Sequence, residues 1–126
     1  TSQTINLHVD HPAIWELMAD ADIAIGGAGG TSWERCCLAL PAVVVIMAEN
    51  QQPNAKVLAS SGAALVVGSL SNETPDAVRD AVKQLIVDKQ TRQKMSDAAR
   101  AMVDGFGADR VATRLLDRIG RQRVRL

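Results

Sequence analysis

Four glycines lie within five positions of this chain, between residues 26 and 30, where the backbone itself could bind a ligand. Glycine has no Cβ, so a ligand can approach the main chain closely. An apolar run at residues 23–25 precedes the glycines, and Thr31, a residue type that caps helices, follows them. This order predicts a strand, then a loop, then the start of a helix. The free N–H groups and the dipole at the start of a helix can bind phosphate. A tight turn without a ligand is the alternative, although one glycine suffices for a turn.

Polar side chains on both sides of the loop could recognise the rest of a nucleotide sugar. Glu34 lies just inside the predicted helix, where its carboxylate can accept hydrogen bonds from ribose hydroxyls. The pattern Thr31-x-x-Glu34 is equally that of a capping box, in which Glu34 bonds to the Thr31 N–H and secures the helix. Asn50, Gln51 and Gln52 follow the next apolar run, and their amides supply donors and acceptors for sugar hydroxyls. These residues favour a nucleoside-diphosphate sugar as the ligand.

A dinucleotide such as NAD is the competing ligand. Gly27-x-Gly29-x-x-Ser32 approaches the glycine fingerprint of dinucleotide-binding folds, and Glu49 lies about 20 positions after Gly29, where such folds hold a ribose. Ser32, however, stands where the third glycine is expected. The loop also follows an earlier predicted strand and helix, whereas a dinucleotide loop normally follows the first strand of its fold.

The apolar residues recur at the spacings typical of strands and of helices, and this pattern predicts an α/β domain around the loop. Ile5, Leu7 and Val9 alternate with polar residues, as in a half-buried strand, and residues 42–47 form a continuous apolar run typical of a buried parallel strand. Four strands separated by helices imply a Rossmann-like, mostly parallel sheet with flanking helices. The other strands are predicted at 23–25 and 63–67, and helices at 11–21, from Thr31 to Pro41, at 53–60 with an end near Gly62, from a cap at Thr74, from about Thr91, and after residues 105–107.

Composition argues against several other functions. The formal net charge is zero and only three residues are aromatic, which disfavours a nucleic-acid partner. No apolar run is long enough for a membrane span, and no signal peptide opens the chain.

The adjacent Cys36 and Cys37 favour packed, reduced thiols in a cytoplasmic protein. His8, Asp10 and His11 lack a further well-placed ligand, so we expect neither a metal ion nor a cofactor.

Several motifs taken together resemble a known family. Residues 29–36 (GGTSWERC), Leu40-Pro41 and residues 48–51 (AENQ) resemble the C-terminal domain of the UDP-sugar hydrolases of pseudaminic-acid biosynthesis and of their spore-coat polysaccharide relatives. Residues 104–111 resemble the ending of the same family, so the similarity extends over nearly the whole chain. More distantly, the chain resembles the MurG-type N-acetylglucosaminyl transferases.

The resemblance implies the C-terminal half of a GT-B fold, in which two Rossmann-like domains hold a nucleotide sugar in the cleft between them. Residues 1–126 would be a single nucleotide-sugar-binding domain, a fragment of a larger two-domain protein whose N-terminal domain carries the catalytic histidine. The implied partners are a UDP-sugar and that N-terminal domain. No catalytic residue is therefore assigned in this chain, and we expect the chain alone to be inactive.

The resemblance also implies roles for individual residues. Gly29, Gly30, Thr31 and Ser32 would bind the diphosphate and Glu34 the ribose, Asn50, Gln51 and Gln52 would lie near the sugar or the proximal phosphate, and the segment from Val9 to Ile14 would approach the base. The implied activity is hydrolysis of a UDP-linked diacetamido-trideoxy-altropyranose in surface polysaccharide or nonulosonic-acid biosynthesis. A GT-B glycosyltransferase that uses a UDP-N-acetylhexosamine is the alternative, and an NAD-binding or non-catalytic nucleotide-binding module is the second.

Overall fold

A three-stranded parallel sheet forms the centre of the protein. The computed structural model describes residues 3–123, and within them the strands are β1 (Ala24–Gly27), β2 (Ala42–Ile46) and β3 (Leu65–Ser69). The strands lie in the order β1-β2-β3, so β2 is central and hydrogen-bonded on both sides. Its residues are apolar on both faces, as a parallel strand covered by helices requires.

Helices precede, connect and follow the strands. Within residues 3–123 they are α1 (Ile14–Asp20), α2 (Thr31–Cys37), α3 (Gln52–Ser61), α4 (Thr74–Val87), α5 (Lys89–Met102) and α6 (Gly107–Arg123). One 3₁₀ turn, Glu49–Gln51, leads into α3. Parallel strands separated by helices confirm the predicted fold class, an α/β domain with a Rossmann-like sheet and flanking helices.

Two separate cores lie on the two faces of the sheet, because successive side chains of a strand point in opposite directions. Val44 of β2 belongs to one core together with Leu58 of α3. Val43 belongs to the other core together with Leu85 of α4. Helix α5 contributes a buried residue to each core, Ala99 to the first and Met95 to the second.

The strand predicted at Ile5, Leu7 and Val9 is wrong. These residues lie outside any strand or helix, and their side chains are 92%, 86% and 76% exposed. The backbone groups of a strand need a neighbouring strand with which to form hydrogen bonds. Alternating apolar residues are present, but none of the three strands found in residues 3–123 pairs with this segment. The described sheet therefore has three strands rather than the four expected.

The predicted boundaries of α2 also need correction. Thr31 is the first helical residue rather than the cap, because Gly30 before it already has the helical dihedral angles φ −56° and ψ −37°. No side chain among residues 3–123 caps this end of the helix, so the predicted capping box of Thr31 and Glu34 is not formed. The helix ends at Cys37 instead of continuing to Pro41.

Helices α4 and α5 begin one or two residues away from the predicted positions. Thr74 is a helical residue rather than the cap, and its hydroxyl accepts a hydrogen bond from the Ser71 N–H at 2.8 Å. Helix α5 begins at Lys89 rather than near Thr91, because Asp88 caps it by accepting hydrogen bonds from the Thr91 N–H at 2.9 Å and from the Thr91 hydroxyl at 2.7 Å. These bonds hold the pKa of the Asp88 carboxyl below its usual value.

Helix α6 carries an apolar face that the rest of the described chain leaves exposed. Four of its 17 residues, Val111, Leu115, Leu116 and Ile119, are large, apolar and more than half exposed. Charged residues lie between them at Arg114, Asp117 and Arg118, although Leu115 and Leu116 are adjacent. None of the helices in residues 3–123 has both the length and the apolar content needed to cross a membrane.

Two glycine-to-alanine substitutions should affect stability differently. Gly62 ends α3 with a φ of 76°, a left-handed conformation that alanine adopts only under strain, so Gly62→Ala should lower the free energy of unfolding by about 1 kcal/mol. Gly120 lies inside α6 with open space where a Cβ would stand. Gly120→Ala should instead increase the helical circular-dichroism signal, because alanine favours a helix interior by about 1 kcal/mol. Urea unfolding of both variants provides the comparison, and an equal loss of stability would contradict this account.

Candidate functional site

The glycine-rich loop and the residues after β2 lie at one edge of the sheet. Strands β1 and β2 are parallel neighbours with Gly27 opposite Val45, so their carboxyl ends meet at the same edge. In open α/β sheets this edge is where ligands bind. The loop leads from Gly27 into α2, and residues 47–51 lead from β2 into α3. The segments that carry the predicted diphosphate and sugar residues are therefore brought together.

The carbonyl of Gly27 is held by side chains of α2. It accepts hydrogen bonds from Arg35 Nη2 at 2.7 Å and from the Ser32 hydroxyl at 3.3 Å. Arg35 also donates to Ser32 Oγ at 3.0 Å, so the three groups form one network. Only 6% of Arg35 and 1% of Ser32 are exposed. The last residue of β1 is thus fixed from inside the protein by the helix that follows it.

Arg35 places a buried positive charge beside the loop. Burial lowers the pKa of its guanidinium, and the nearby Cys36 and Glu34 act in the opposite direction. An arginine side chain stays protonated in proteins at neutral pH. None of the ion pairs found within residues 3–123 involves Arg35. No pattern in the sequence marks this arginine as buried, so its role was not predicted.

Ala28, the first loop residue, is held by the 3₁₀ turn after β2 and by α3. It is completely buried, its N–H donates to Gln51 Oε1 at 3.1 Å, and its carbonyl accepts a hydrogen bond from Asn54 Nδ2 at 3.0 Å. Gln51 Oε1 also accepts a hydrogen bond from the Met47 N–H at 3.0 Å. Asn54 too was not predicted from the sequence. We refer to the four side chains that hold Gly27 and Ala28, namely Ser32, Arg35, Gln51 and Asn54, as the loop clamp.

Only some of the four loop glycines leave space for a ligand. A Cβ at Gly26 would lie 2.7 Å from Arg35 Nη1, and a Cβ at Gly27 would lie 3.3 Å from Gln51 Oε1. At these two positions a side chain would crowd side chains of the protein that approach the backbone. At Gly30, by contrast, no atom of another part of the described chain lies within 4 Å of the position that a Cβ would occupy. The backbone at Gly30 is therefore open to a ligand.

The predicted diphosphate residues differ in what they offer to a ligand. Among the hydrogen bonds formed within residues 3–123, none uses the N–H groups of Gly29, Gly30 or Thr31. Three successive N–H groups at the start of a helix can bind an anion. The Ser32 N–H instead donates to the Gly29 carbonyl at 3.0 Å, and the Ser32 hydroxyl belongs to the loop clamp. Ser32 therefore supports the loop from inside the protein.

Glu34 is exposed and borders a cavity of about 340 Å³. The cavity is lined by residues of α2 and by residues within 102–110, a stretch that runs from the end of α5 into the first turn of α6. In that segment, Asp104 accepts a hydrogen bond from the Phe106 N–H at 3.0 Å and forms an ion pair with Arg110. Both interactions lower the pKa of the Asp104 carboxyl. In the sequence, this segment stands out only through its family resemblance.

The remaining predicted residues make fewer contacts. Asn50 is exposed, and the exposed Gln52 donates a hydrogen bond to Ser69 Oγ at 3.4 Å. Val9 and Ile14, predicted near the base, are 76% and 41% exposed and belong to neither core. Of the residues predicted near the sugar, Gln51 is thus the one that contacts the glycine-rich loop.

The cysteine and histidine side chains form no catalytic arrangement in the described chain. Cys36 and Cys37 are free thiols, and burial raises the pKa of the Cys36 thiol, which makes it less reactive. The rings of His8 and His11 meet edge to face with 5.2 Å between their centroids. Within residues 3–123, no three His, Cys, Asp or Glu side chains come together in a way that could hold a metal ion.

A parallel α/β sheet with a glycine-rich loop and unused backbone N–H groups at its carboxyl edge is typical of nucleotide-binding domains. The chain belongs to the glycosyltransferase family 28 C-terminal domain, which it matches over residues 7–112. It is also similar to the spore coat polysaccharide biosynthesis protein SpsG of Bacillus subtilis (strain 168), with 33% identity over 102 residues. This match covers 80% of the chain and 30% of the relative. Both findings confirm the resemblance to a GT-B C-terminal domain related to the spore-coat polysaccharide proteins.

Asn54→Ala should weaken the loop clamp. The substitution removes the amide that donates to the carbonyl of the buried Ala28, so it should lower the free energy of unfolding by about 1–3 kcal/mol. Asn50→Ala is the matched control, because Asn50 is an exposed asparagine of the preceding turn, and its effect should stay below about 0.5 kcal/mol. Chemical denaturation measures both values. Equal effects of the two substitutions would show that the Asn54 hydrogen bond does not stabilise the loop.

Proposed function

We propose that this chain binds the UDP part of a UDP-sugar and is the C-terminal half of a two-domain enzyme. The observation that carries the proposal is the set of unused N–H groups at Gly29, Gly30 and Thr31, held at the carboxyl edge of the sheet by the loop clamp. These groups would donate to the diphosphate oxygens. The buried charge of Arg35 would add a favourable potential for an anion. Glu34, exposed in the same helix, would accept hydrogen bonds from the ribose hydroxyls.

The reaction class follows from the ligand and the family. Breaking the bond between the sugar and the diphosphate leaves negative charge on the departing UDP, which N–H donors aimed at the diphosphate would stabilise. In hydrolysis a water molecule attacks the sugar carbon, whereas in transfer an acceptor hydroxyl does so. We favour hydrolysis of a UDP-diacetamido-trideoxy sugar in surface polysaccharide or nonulosonic-acid biosynthesis, because the motifs resemble that family. Transfer from a UDP-N-acetylhexosamine is the alternative, supported by the description of the matched family.

The catalytic groups are proposed to lie outside this chain. The matched stretch spans 30% of the spore-coat relative, which leaves room for the catalytic groups elsewhere in a longer protein. The free thiols Cys36 and Cys37 are compatible with the cytoplasmic location expected from the sequence. In the full-length protein, release of UDP from a UDP-sugar without an added acceptor would support hydrolysis. Release that requires an acceptor hydroxyl would support transfer.

Binding by the 126-residue chain can be tested by titrating ¹⁵N-labelled protein with UDP, with UDP-N-acetylglucosamine and with NAD. We expect both uridine nucleotides to shift the amide signals of residues 29–31, because those N–H groups have no acceptor in the described chain. NAD should leave these signals unchanged. No UDP should be released from the sugar nucleotide by this chain alone. Saturation by NAD with shifts at Glu49 would instead support the dinucleotide-binding alternative.

Glu34→Ala should weaken UDP binding by about 1 to 3 kcal/mol, because the ribose hydroxyls lose their acceptor. The melting temperature should stay close to that of the unmodified chain, since the Glu34 carboxylate does not cap α2. Glu49→Ala is the matched control, an exposed glutamate at the same edge of the sheet. Isothermal titration calorimetry should show no loss of UDP affinity for it. An unchanged affinity of the Glu34 variant would remove this residue from the site.

A further inference from the structure

The ring of His11 accepts a hydrogen bond from the main chain two residues further on. The Ala13 N–H donates to His11 Nδ1 at 3.1 Å, and the Ala13 carbonyl accepts from the Glu16 N–H at 3.0 Å in the first turn of α1. An imidazole nitrogen that accepts a hydrogen bond carries no hydrogen, so the contact assigns the hydrogen of a neutral ring to Nε2. His11 thus holds the residue from which α1 begins.

Little else in residues 3–123 holds this part of the chain. Helix α1 has seven residues and none of them is buried. Neither core includes a residue between positions 3 and 20. A short helix is marginal on its own, because forming its first turn fixes several residues for one hydrogen bond. The bond from Ala13 to His11 therefore matters more here than it would at the start of a packed helix.

The turn before α1 has the geometry of uncharged histidines. Asp10 has a φ of 50°, in the left-handed region that aspartate enters more readily than most residues. The rings of His8 and His11 meet edge to face, with 5.2 Å between their centroids and 76° between their planes. Two neutral rings can pack in this way, whereas two imidazolium ions at this distance repel each other.

Histidine is the side chain whose charge changes between pH 5 and 8. The other titratable groups beside His11 in this turn and in the first turn of α1 are His8, Asp10 and Glu16. Among the hydrogen bonds and ion pairs within residues 3–123, none joins a carboxylate to either imidazole. Neither core brings a titratable group of another element against the turn. In the described chain, the contact that distinguishes the two charge states of His11 is thus the one with Ala13.

We propose that His11 is a positioning residue whose neutral ring holds the segment from Val9 to Ile14 for binding of the base, an inference that rests on the proposed binding of a UDP-sugar. Protonation places a hydrogen on Nδ1, so the ring and the Ala13 N–H meet as two donors and the bond is lost. The ligand must then order the segment at a cost in conformational entropy. Affinity for the sugar nucleotide is therefore highest where the ring is neutral, and it falls as the pH drops through the range in which histidine titrates.

UDP-N-acetylglucosamine is the suitable probe, because its diphosphate is esterified at both ends. Free UDP is unsuitable, since a terminal phosphate changes its own charge near about pH 6. Calorimetry should be performed at about pH 8 and at about pH 5.5, on either side of the histidine titration. We expect binding to be about fivefold weaker at the lower pH, which corresponds to one ordinary hydrogen bond.

Three variants locate the effect. His11→Asn places an amide oxygen where Nδ1 stands, and asparagine accepts from the N–H two residues further on without titrating, so its affinity should stay high at both pH values. His11→Phe keeps a ring but has no acceptor, so it should bind about fivefold more weakly than the unmodified chain at the higher pH, and equally weakly at the lower pH. His8→Asn is the matched control, because it removes the other histidine of the chain and should leave the pH dependence in place.

The turn itself can be followed without ligand in the ¹⁵N-labelled chain. As the pH falls from about 8 to about 5.5, the amide hydrogen signal of Ala13 should move upfield, because it loses its acceptor. This movement should follow the titration of the His11 ring signals. It should be absent in His11→Asn and present in His8→Asn.

The possible results have distinct meanings. Equal affinity of the unmodified chain at both pH values would overturn the inference and leave the proposed function standing. So would an equally large loss of affinity in His11→Asn, because another group would then be titrating. An Ala13 signal that does not respond to pH would show that His11 does not hold the turn. If UDP-N-acetylglucosamine binds at neither pH value, the proposed function fails, and the role of His11 in binding fails with it.

Discussion

Four side chains hold the polar groups of two consecutive residues, Gly27 and Ala28, at the point where β1 passes into the glycine-rich loop. Ser32 and Arg35 come from α2, Gln51 from the 3₁₀ turn after β2, and Asn54 from α3. A buried peptide group without a partner costs more free energy than one hydrogen bond usually contributes, so each clamp residue protects the conformation of the loop. The packing of both neighbouring segments on the sheet is thereby coupled to the direction in which the loop N–H groups point.

The glycine pattern predicted where the loop lies but not what each glycine does. Gly26 and Gly27 make room for Arg35 and Gln51, which reach the loop because α2 and the segment after β2 fold back onto the same edge of the sheet. Such an approach cannot be inferred from local spacing, since it is set by contacts between distant parts of the chain. Gly30 does fit the local argument, because its backbone is open to solvent. The phosphate-binding hypothesis therefore rests on fewer glycines and on more side-chain hydrogen bonds than the sequence suggested.

Prediction of the fold succeeded where the signal is local. The apolar run of β2 and the glycine that ends α3 lie close to their expected positions. The alternation of Ile5, Leu7 and Val9 identifies side chains that could share one face of a strand, but pairing also needs a neighbouring strand, and none in residues 3–123 is available to them. Thr31 has the residue type of a cap, yet Gly30 already has helical dihedral angles, which moves Thr31 into the helix. In both cases the residue type was informative, and the surrounding backbone decided the outcome.

The residues of both cores lie between Ile23 and Val103, and so does the loop clamp. In the proposed complex, the contacts to diphosphate and ribose therefore come from the packed part of the domain. The contacts to the base would come from Val9 and Ile14, which contribute to neither core. The phosphate end of the ligand then meets groups that are already held in place. Binding of the base must fix the segment that carries Val9 and Ile14, which costs conformational entropy. If the proposal holds, the groups that recognise phosphate belong to residues 23–103, whereas those that recognise the base belong to residues 3–14, outside both cores.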